Sequence, residues 1–167
     1  ILNQYGIIGT FYVNKSNDYS WCVKALSEGH EIANHTRDHL HLLTLSPADL
    51  KTQITDFKNT LMMETGSAVS TCAYPYGEGS ETQAFAYEVQ DSVAAHHIAG
   101  RGVYYNGSTT FPYNFAPNNR KYYQLPTVTA VAPNWNALVD QCANEGGLLP
   151  IMYHGIGAPG IFENIST

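Results

Sequence analysis

Apolar and polar positions change rhythm repeatedly along this chain, and each change predicts an element. Gly6 to Val13 (Gly-Ile-Ile-Gly-Thr-Phe-Tyr-Val) is a short apolar run between turn residues and predicts a buried strand. Ser20 predicts the cap of a helix to about Glu28, with Trp21, Ala25 and Leu26 buried and Gly29 as its stop. Glu31 to Asn34 predicts a brief second strand. The clearest helix follows. Ser46 suits the N-cap, Pro47 the first turn and Asp49 the N-terminal dipole. Leu45 and Leu50 suit a hydrophobic staple. Leu50, Ile54, Phe57 and Leu61 trace one helical face, and Gly66 ends it.

The alternation continues. Val69 to Tyr74 predicts a strand, Pro75 to Gly79 a turn, and Ser80 to about Gln90 a helix. Ala94 to Arg101 and Leu125 to Val131 predict strands on either side of a long irregular loop over residues 104–124. Trp135, Leu138, Val139 and Cys142 mark a helix face that Gly146 and Gly147 terminate. Leu148 to Tyr153 predicts a last buried strand, ending at His154. Short apolar strands separated by amphipathic helices predict parallel βαβ units in one α/β domain.

This pattern places His35 and His39, then Pro75-Tyr76, then His154, each just past the end of a predicted strand. In parallel α/β folds that edge gathers ligands and catalytic groups. His35 and His39 stand four residues apart, so a tight turn or helical turn brings both imidazoles to one side. Two neutral imidazoles there make half of a divalent-metal site and point to a metal-assisted hydrolase. Thr36 is expected to steady the turn and Asp38 to accept from an imidazole N–H. His30 reads as structural, and so do His96 and His97, which on a strand would face opposite ways. Trp135 reads as core. Tyr104, Tyr105, Tyr113, Tyr122 and Tyr123 are candidate sugar-stacking rings or simply self-packed.

Composition narrows the partners. The 167 residues are 44% hydrophobic and 13% charged, a globular balance. A net charge of -6 leaves no basic stripe for nucleic acid and no polybasic membrane anchor. No apolar run approaches a membrane span. Twelve Tyr with few Lys or Arg lean towards a secreted or cell-envelope protein that handles carbohydrate. Cys22, Cys72 and Cys142 are compatible with three thiols or with one disulfide and one thiol. Oligomeric state stays open.

The residues also resemble a known family. Asn34-His35-Thr36-Arg37-Asp38-His39, after Gly29-His30-Glu31-Ile32, is similar to the His-Thr-x-x-His motif of polysaccharide deacetylases with a NodB homology domain, carbohydrate esterase family 4. Thr10 to Val13 resembles the strand before it. Tyr74-Pro75-Tyr76-Gly77 resembles the second half of Arg-x-Pro-Tyr, and Ile151-Met152-Tyr153-His154 the late Leu-x-His motif. The resemblance implies a deformed (β/α) barrel of about seven strands, incomplete here at both chain ends, lacking its first strand and last helix. It implies hydrolysis of acetyl groups on a carbohydrate, with a divalent metal, zinc foremost, on His35 and His39. Carried over, the backbone N–H of Tyr76 would hold the oxyanion and His154 would be the general acid, with Pro75, Tyr76 and Arg101 meeting the substrate.

Residues 1–167 depart from that pattern in three ways. The Thr-Phe-Asp-Asp motif, source of the third ligand and the base, is expected ahead of the Gly6–Val13 strand. Ala73 replaces the motif's arginine, and no Asp-x-x-Asp-Trp follows; Arg101 stands about where it belongs. These departures motivate a second reading, a non-catalytic carbohydrate-binding relative. A zinc peptidase is disfavoured because the chain has no His-Glu-x-x-His.

Overall fold

A computed structural model describes residues 2–79, 84–103, 111–112, 120–125, 127–129, 135–145, 147–156 and 164–165. Its main sheet holds four parallel strands in chain order: β1 (Thr10–Val13), β2 (Glu31–Asn34), β3 (Thr71–Ala73) and β4 (Ala99–Arg101). Parallel neighbours need a crossover, and helices supply each one. Between β1 and β2 runs α1 (Ser20–Ser27). Between β2 and β3, α2 (Pro47–Lys51) passes through a π-helical turn (Thr52–Asp56) into α3 (Phe57–Thr65). Before β4 comes α4 (Ala84–Ala94). Later strands pair two by two: β5 (Phe111–Pro112) antiparallel with β7 (Gly147–Leu148), β6 (Val128–Thr129) parallel with β8 (Ile151–Met152), and β9 (Gly155–Ile156) parallel with β10 (Asn164–Ile165). Helix α5 (Trp135–Glu145) lies between β6 and β7. A parallel bridge from Arg101 to Leu125 touches the main sheet. The α/β class with a parallel sheet is as expected, but these strands do not join into a closed barrel among the described residues.

The helical run after β2 follows its sequence signals. The Ser46 hydroxyl accepts from the Asp49 N–H at 3.2 Å, Pro47 occupies the first turn, and Gly66 closes α3 in the left-handed region (φ 67°). Leu50, Ile54, Phe57 and Leu61 are all buried. They split between two clusters. Phe57 and Leu61 join Val13, Cys22, Ala25, Ile32 and Val69; Leu50 and Ile54 join Leu42, Cys72, Tyr74, Val89 and Val93. The three cysteines are free thiols.

Three local expectations change. Ser20 is the first helical residue rather than the cap; Tyr19 stands at the N-cap with no side-chain cap bond, and Asp18 just before it accepts from the Ser20 N–H at 2.8 Å. The helix therefore turns Cys22 and Ala25 inward and leaves Trp21 44% exposed, edge-on to Phe11. The first strand begins at Thr10, because Gly6 adopts φ 65° and the Ile7 N–H bonds back to Leu2, which leaves Ile7 and Ile8 exposed. Finally, α4 runs on to Ala94, so His96 and His97 lie in the turn that ends it, both N–H groups on the Val93 carbonyl.

The sheet face turned away from the helices is polar. Glu31 accepts from Thr10 Oγ1 at 2.7 Å and from Thr71 Oγ1 at 3.1 Å, and Thr71 Oγ1 lies 3.4 Å from Tyr12 Oη. Arg101 sits above this row with its guanidinium 4.4 Å from the centre of the Tyr12 ring. Thr10, Glu31 and Thr71 open their strands, and the candidate site lies at the opposite, carboxyl ends.

Candidate active site

The loop leaving β2 is held in a shape its residues would not choose alone. Thr36 and His39 adopt φ of 63° and 54°, unfavourable for L side chains and more so for a β-branched one. Four amide or imidazole groups hold it there. Asn34, fully buried, accepts from the Thr36 N–H at 2.9 Å and donates to the Ile54 carbonyl at 2.8 Å. Its amide also reaches Nε2 of His97 at 3.2 Å. Asn14 Nδ2 donates to the carbonyls of His35 and Thr36. Gln53 receives the Asp38 N–H at 2.8 Å and donates to the Asp38 carboxylate at 2.7 Å. Asp38 thus serves Gln53 and not an imidazole. Asn34 has every polar atom engaged inside the protein, which excludes a glycan there.

His35 receives its orientation from the neighbouring strand β3. Its Nδ1 lies 2.9 Å from the Ala73 carbonyl, an acceptor only, so Nδ1 carries the proton and Nε2 offers the lone pair. Burial pushes the His35 pKa down to about 4, and the charges of Arg101, His39 and His154 act in the same direction. Burial lowers His39 too, again with help from His154. Both rings are therefore neutral near pH 7, the form a metal requires. The two rings meet edge to face with centroids 4.8 Å apart. His154 is exposed, two residues past Met152, and acts electrostatically on both rings.

Pro75 opens a short 3-10 turn (Pro75–Gly77) at the end of β3 and is buried. Tyr76 takes φ 57° within it and stands 58% exposed, its ring 4.8 Å from that of His39. His41 also packs on Tyr76, stacked at 4.0 Å and 12°. Nδ1 of His41 lies 2.7 Å from Glu78 Oε1, while Glu78 Oε2 accepts from the Leu43 N–H at 3.3 Å. Beneath the turn, Tyr74 is buried and its hydroxyl donates to the Tyr123 carbonyl at 2.9 Å.

Arg101 is in register with Ala73, so both side chains leave the same face of adjacent parallel strands. Its guanidinium contacts the Met152 sulfur at 3.1 Å, and burial lowers its pKa. Met152 ends β8, two residues before His154. Every residue singled out beforehand among the strand ends is thus in one neighbourhood: His35, His39, Pro75, Tyr76, Arg101 and His154. Among the described residues, no group of three or more His, Cys, Asp or Glu converges as a metal-binding cluster. The two imidazoles, both neutral and with Nε2 of His35 available, are of the type that a cation takes as ligands. The buried Thr36 hydroxyl between them has no partner among the described residues.

Residues 1–91 match the family model described as polysaccharide deacetylase. This chain belongs to the polysaccharide deacetylase family. The matched segment carries His35, His39, Pro75 and Tyr76; Arg101 and His154 lie beyond it. A chitin deacetylase of Pestalotiopsis sp is 32% identical over 82 residues, 46% of this chain and 28% of that protein. A gellan lyase of Bacillus sp is 34% identical over 106 residues, 61% of this chain and 4% of that protein. The chain therefore spans less than a third of the length of either curated relative. Among solved structures, the Streptococcus pyogenes deacetylase PplD in complex with acetate superposes with a TM-score of 0.59 at 17% identity, over 84% of this chain and 60% of that one. At that identity the likeness speaks to the fold. No helix among the described residues is long and apolar enough to cross a membrane.

Asn14, Gln53, His41 and Glu78 escaped the sequence reading, and so did the contact that gives His97 its structural role. Nothing local marks His97, because its partner is 63 residues away. His41 carried a faint signal, a third histidine two positions after His39. Tyr104, Tyr105, Tyr113 and the side chain of Trp135 lie outside what the structure describes.

Proposed function

We propose that this family member is a metal-dependent hydrolase that removes N- or O-acetyl groups from a carbohydrate, on the deformed (β/α) barrel its resemblance implies. The observation that carries the reading is the meeting of His35, His39 and Tyr76 at the strand ends, with His154 within electrostatic reach of both histidines.

His35 and His39 would hold the divalent cation, zinc foremost, each through a neutral imidazole. The chemistry such an ion supplies is a polarised acetyl carbonyl and a bound water whose pKa falls to ~7. The protein's own groups supply the rest. Tyr76 presents its main chain, held in a left-handed turn, to the charge that grows on the carbonyl oxygen. Pro75 fixes the entry to that turn. His154, exposed beside the pair, donates the proton that the leaving amine or sugar oxygen needs. Arg101 puts a positive charge next to Ala73, where the family motif has arginine, and so stands in for it from the neighbouring strand. A secreted or cell-envelope location is proposed with it, resting on the tyrosine-rich, charge-poor composition.

Ala73 itself favours a second reading, a carbohydrate-binding relative without turnover. Acetate release separates the two. Zinc-loaded protein is incubated with acetylated chitooligosaccharides and acetyl-xylan, before and after chelation. Metal-dependent acetate release is expected. Saccharide binding without acetate release under any metal would replace the hydrolase with the binding protein.

A further inference from the structure

A second group of rings gathers far from the candidate active site. Phe11 of β1 meets His30 edge to face at 5.3 Å and 78°, and Trp21 of α1 at 6.0 Å and 79°. The three rings wall an open groove of about 350 Å³, within the size range of small-molecule sites. Asn3, Lys24 and Glu28 also line it, with Lys24 Nζ 4.0 Å from Glu28 Oε1. Phe11 is second in β1 and His30 stands just before β2. The groove therefore lies at the amino ends of these strands, opposite His35 and His39.

Trp21 leaves 44% of its surface open there, and His30 holds a donor in reserve. His30 is only 6% exposed. Its Nδ1 accepts from the Gly9 N–H at 3.1 Å, so Nε2 carries the proton. That Nε2–H meets no acceptor among the described residues, a costly state for a buried donor. Nor is it sealed off, since the enclosed side-chain atom without a partner among the described residues is Thr36 Oγ1. Its opening is the groove that the ring lines. The occupant must therefore combine an apolar face for the rings with an oxygen acceptor for Nε2–H. The Lys24–Glu28 pair adds a donor and an acceptor with no net charge, which suits hydroxyls better than an ion.

We propose that this groove is a second carbohydrate site, which holds one uncharged pyranose unit at the far end of the sheet from the acetyl-processing centre. Trp21 meets the C–H face of the sugar, His30 Nε2 donates to one of its oxygens, and Lys24 and Glu28 meet its hydroxyls. The site retains the polymer and takes no part in hydrolysis. The proposal rests on the carbohydrate reading above and deepens it.

Nitrogen-15 NMR of the protein with acetylated chitohexaose and acetylated xylohexaose tests it, alongside acetate release. The Trp21 indole N–H signal, identified by its loss in Trp21→Phe, is expected to move saturably with one of the two. His30→Asn keeps an acceptor for the Gly9 N–H and removes the Nε2 donor. It is expected to weaken the affinity read at Trp21 severalfold. Trp21→Ala is expected to weaken retention on acetylated chitin or acetyl-xylan about three- to tenfold, the worth of one aromatic contact. Hydrolysis of p-nitrophenyl acetate by either variant stays within twofold of the parent.

A Trp21 signal unmoved by both saccharides, or a folded Trp21→Ala protein retained as the parent is, would overturn the proposal. So would a parent dimer that Trp21→Ala turns into a monomer with saccharide binding unchanged, since a second copy would then fill the groove. Saccharide binding at Trp21 without acetate release removes the hydrolase reading and leaves this site standing. Acetate release with an unmoved Trp21 signal does the reverse.

Discussion

Asn34 and His97 touch across 3.2 Å in the interior, and that contact ties the end of α4 to the loop bearing the two candidate ligands. The Asn34 amide can only donate, so Nε2 of His97 accepts. Its Nδ1–H then serves the Val93 carbonyl at 3.2 Å. His97 is structural, as its sequence suggested, but for a different reason: it supports the residue that folds Thr36 back on itself.

Acid sensitivity follows from that arrangement. Burial, with the Lys58 charge behind it, pushes the His97 pKa down to about 4 from an ordinary value of 6.5. Between those values the unfolded chain binds a proton that the folded chain refuses. Stability is therefore complete above pH 6.5 and is lost progressively as the pH falls towards 4, by up to about 1.4 kcal/mol per pH unit for one such group. His35, also pushed down to about 4, adds the same sign. Urea midpoints of metal-free protein are expected to fall steadily across this window. In His97→Gln, which keeps an acceptor for Asn34, the slope should drop by about half.

Asn34→Ala tests the loop's support directly. It leaves the Thr36 N–H, the Ile54 carbonyl and His97 Nε2 without their partner in a buried setting. A loss of about 2–4 kcal/mol is expected by urea denaturation, since several groups are orphaned at once. Zinc affinity should fall with it, as the His35–His39 loop loses its left-handed turn. An Asn34→Ala protein as stable as the parent would show that the contact matters little.

The metal proposal is checked by stoichiometry rather than by activity. His35→Ala combined with His39→Ala is expected to remove tightly bound zinc completely, because these two neutral imidazoles are the proposed protein ligands. Elemental analysis after gel filtration reads the result. A double variant that retains one zinc per chain would exclude the site.

Gly100→Ala tests the floor beneath Tyr76. A Cβ at Gly100 would stand 2.7 Å from Cζ of Tyr74, and one at Gly79 would stand 2.7 Å from its Cδ1. The Tyr74 ring thus lies between two glycines and is pinned by its hydrogen bond to Tyr123. It cannot yield without disturbing Pro75 and Tyr76. Overpacking of this kind costs about 1–3 kcal/mol, so the midpoint of urea unfolding should fall accordingly. The loss in acetate release is expected to exceed that of a comparably destabilised variant elsewhere.

Much of the fold was legible along the chain because its signals are local. The cap at Ser46, the spaced apolar face from Leu50 to Leu61 and the glycine at Gly66 act within a turn or two of helix, and they appear in the structure as written. Boundaries were less legible where a neighbour decides them. Ser20 became the first residue of α1 rather than its cap, and His96 and His97 passed from a strand to the turn that ends α4.

The candidate site divides along the same line. Sequence alone determined which residue types stand at the strand ends, since a motif such as Asn34 to His39 is written in consecutive letters and a parallel α/β chain delivers such ends to one edge. Tertiary structure alone decided how they are held and what assists them. The His35 tautomer depends on the Ala73 carbonyl, Arg101 gains its place through register with Ala73, and His41 gains its orientation from Glu78. Hydrogen bonds and ring contacts join atoms that are close in space, and spacing along a chain carries no record of them.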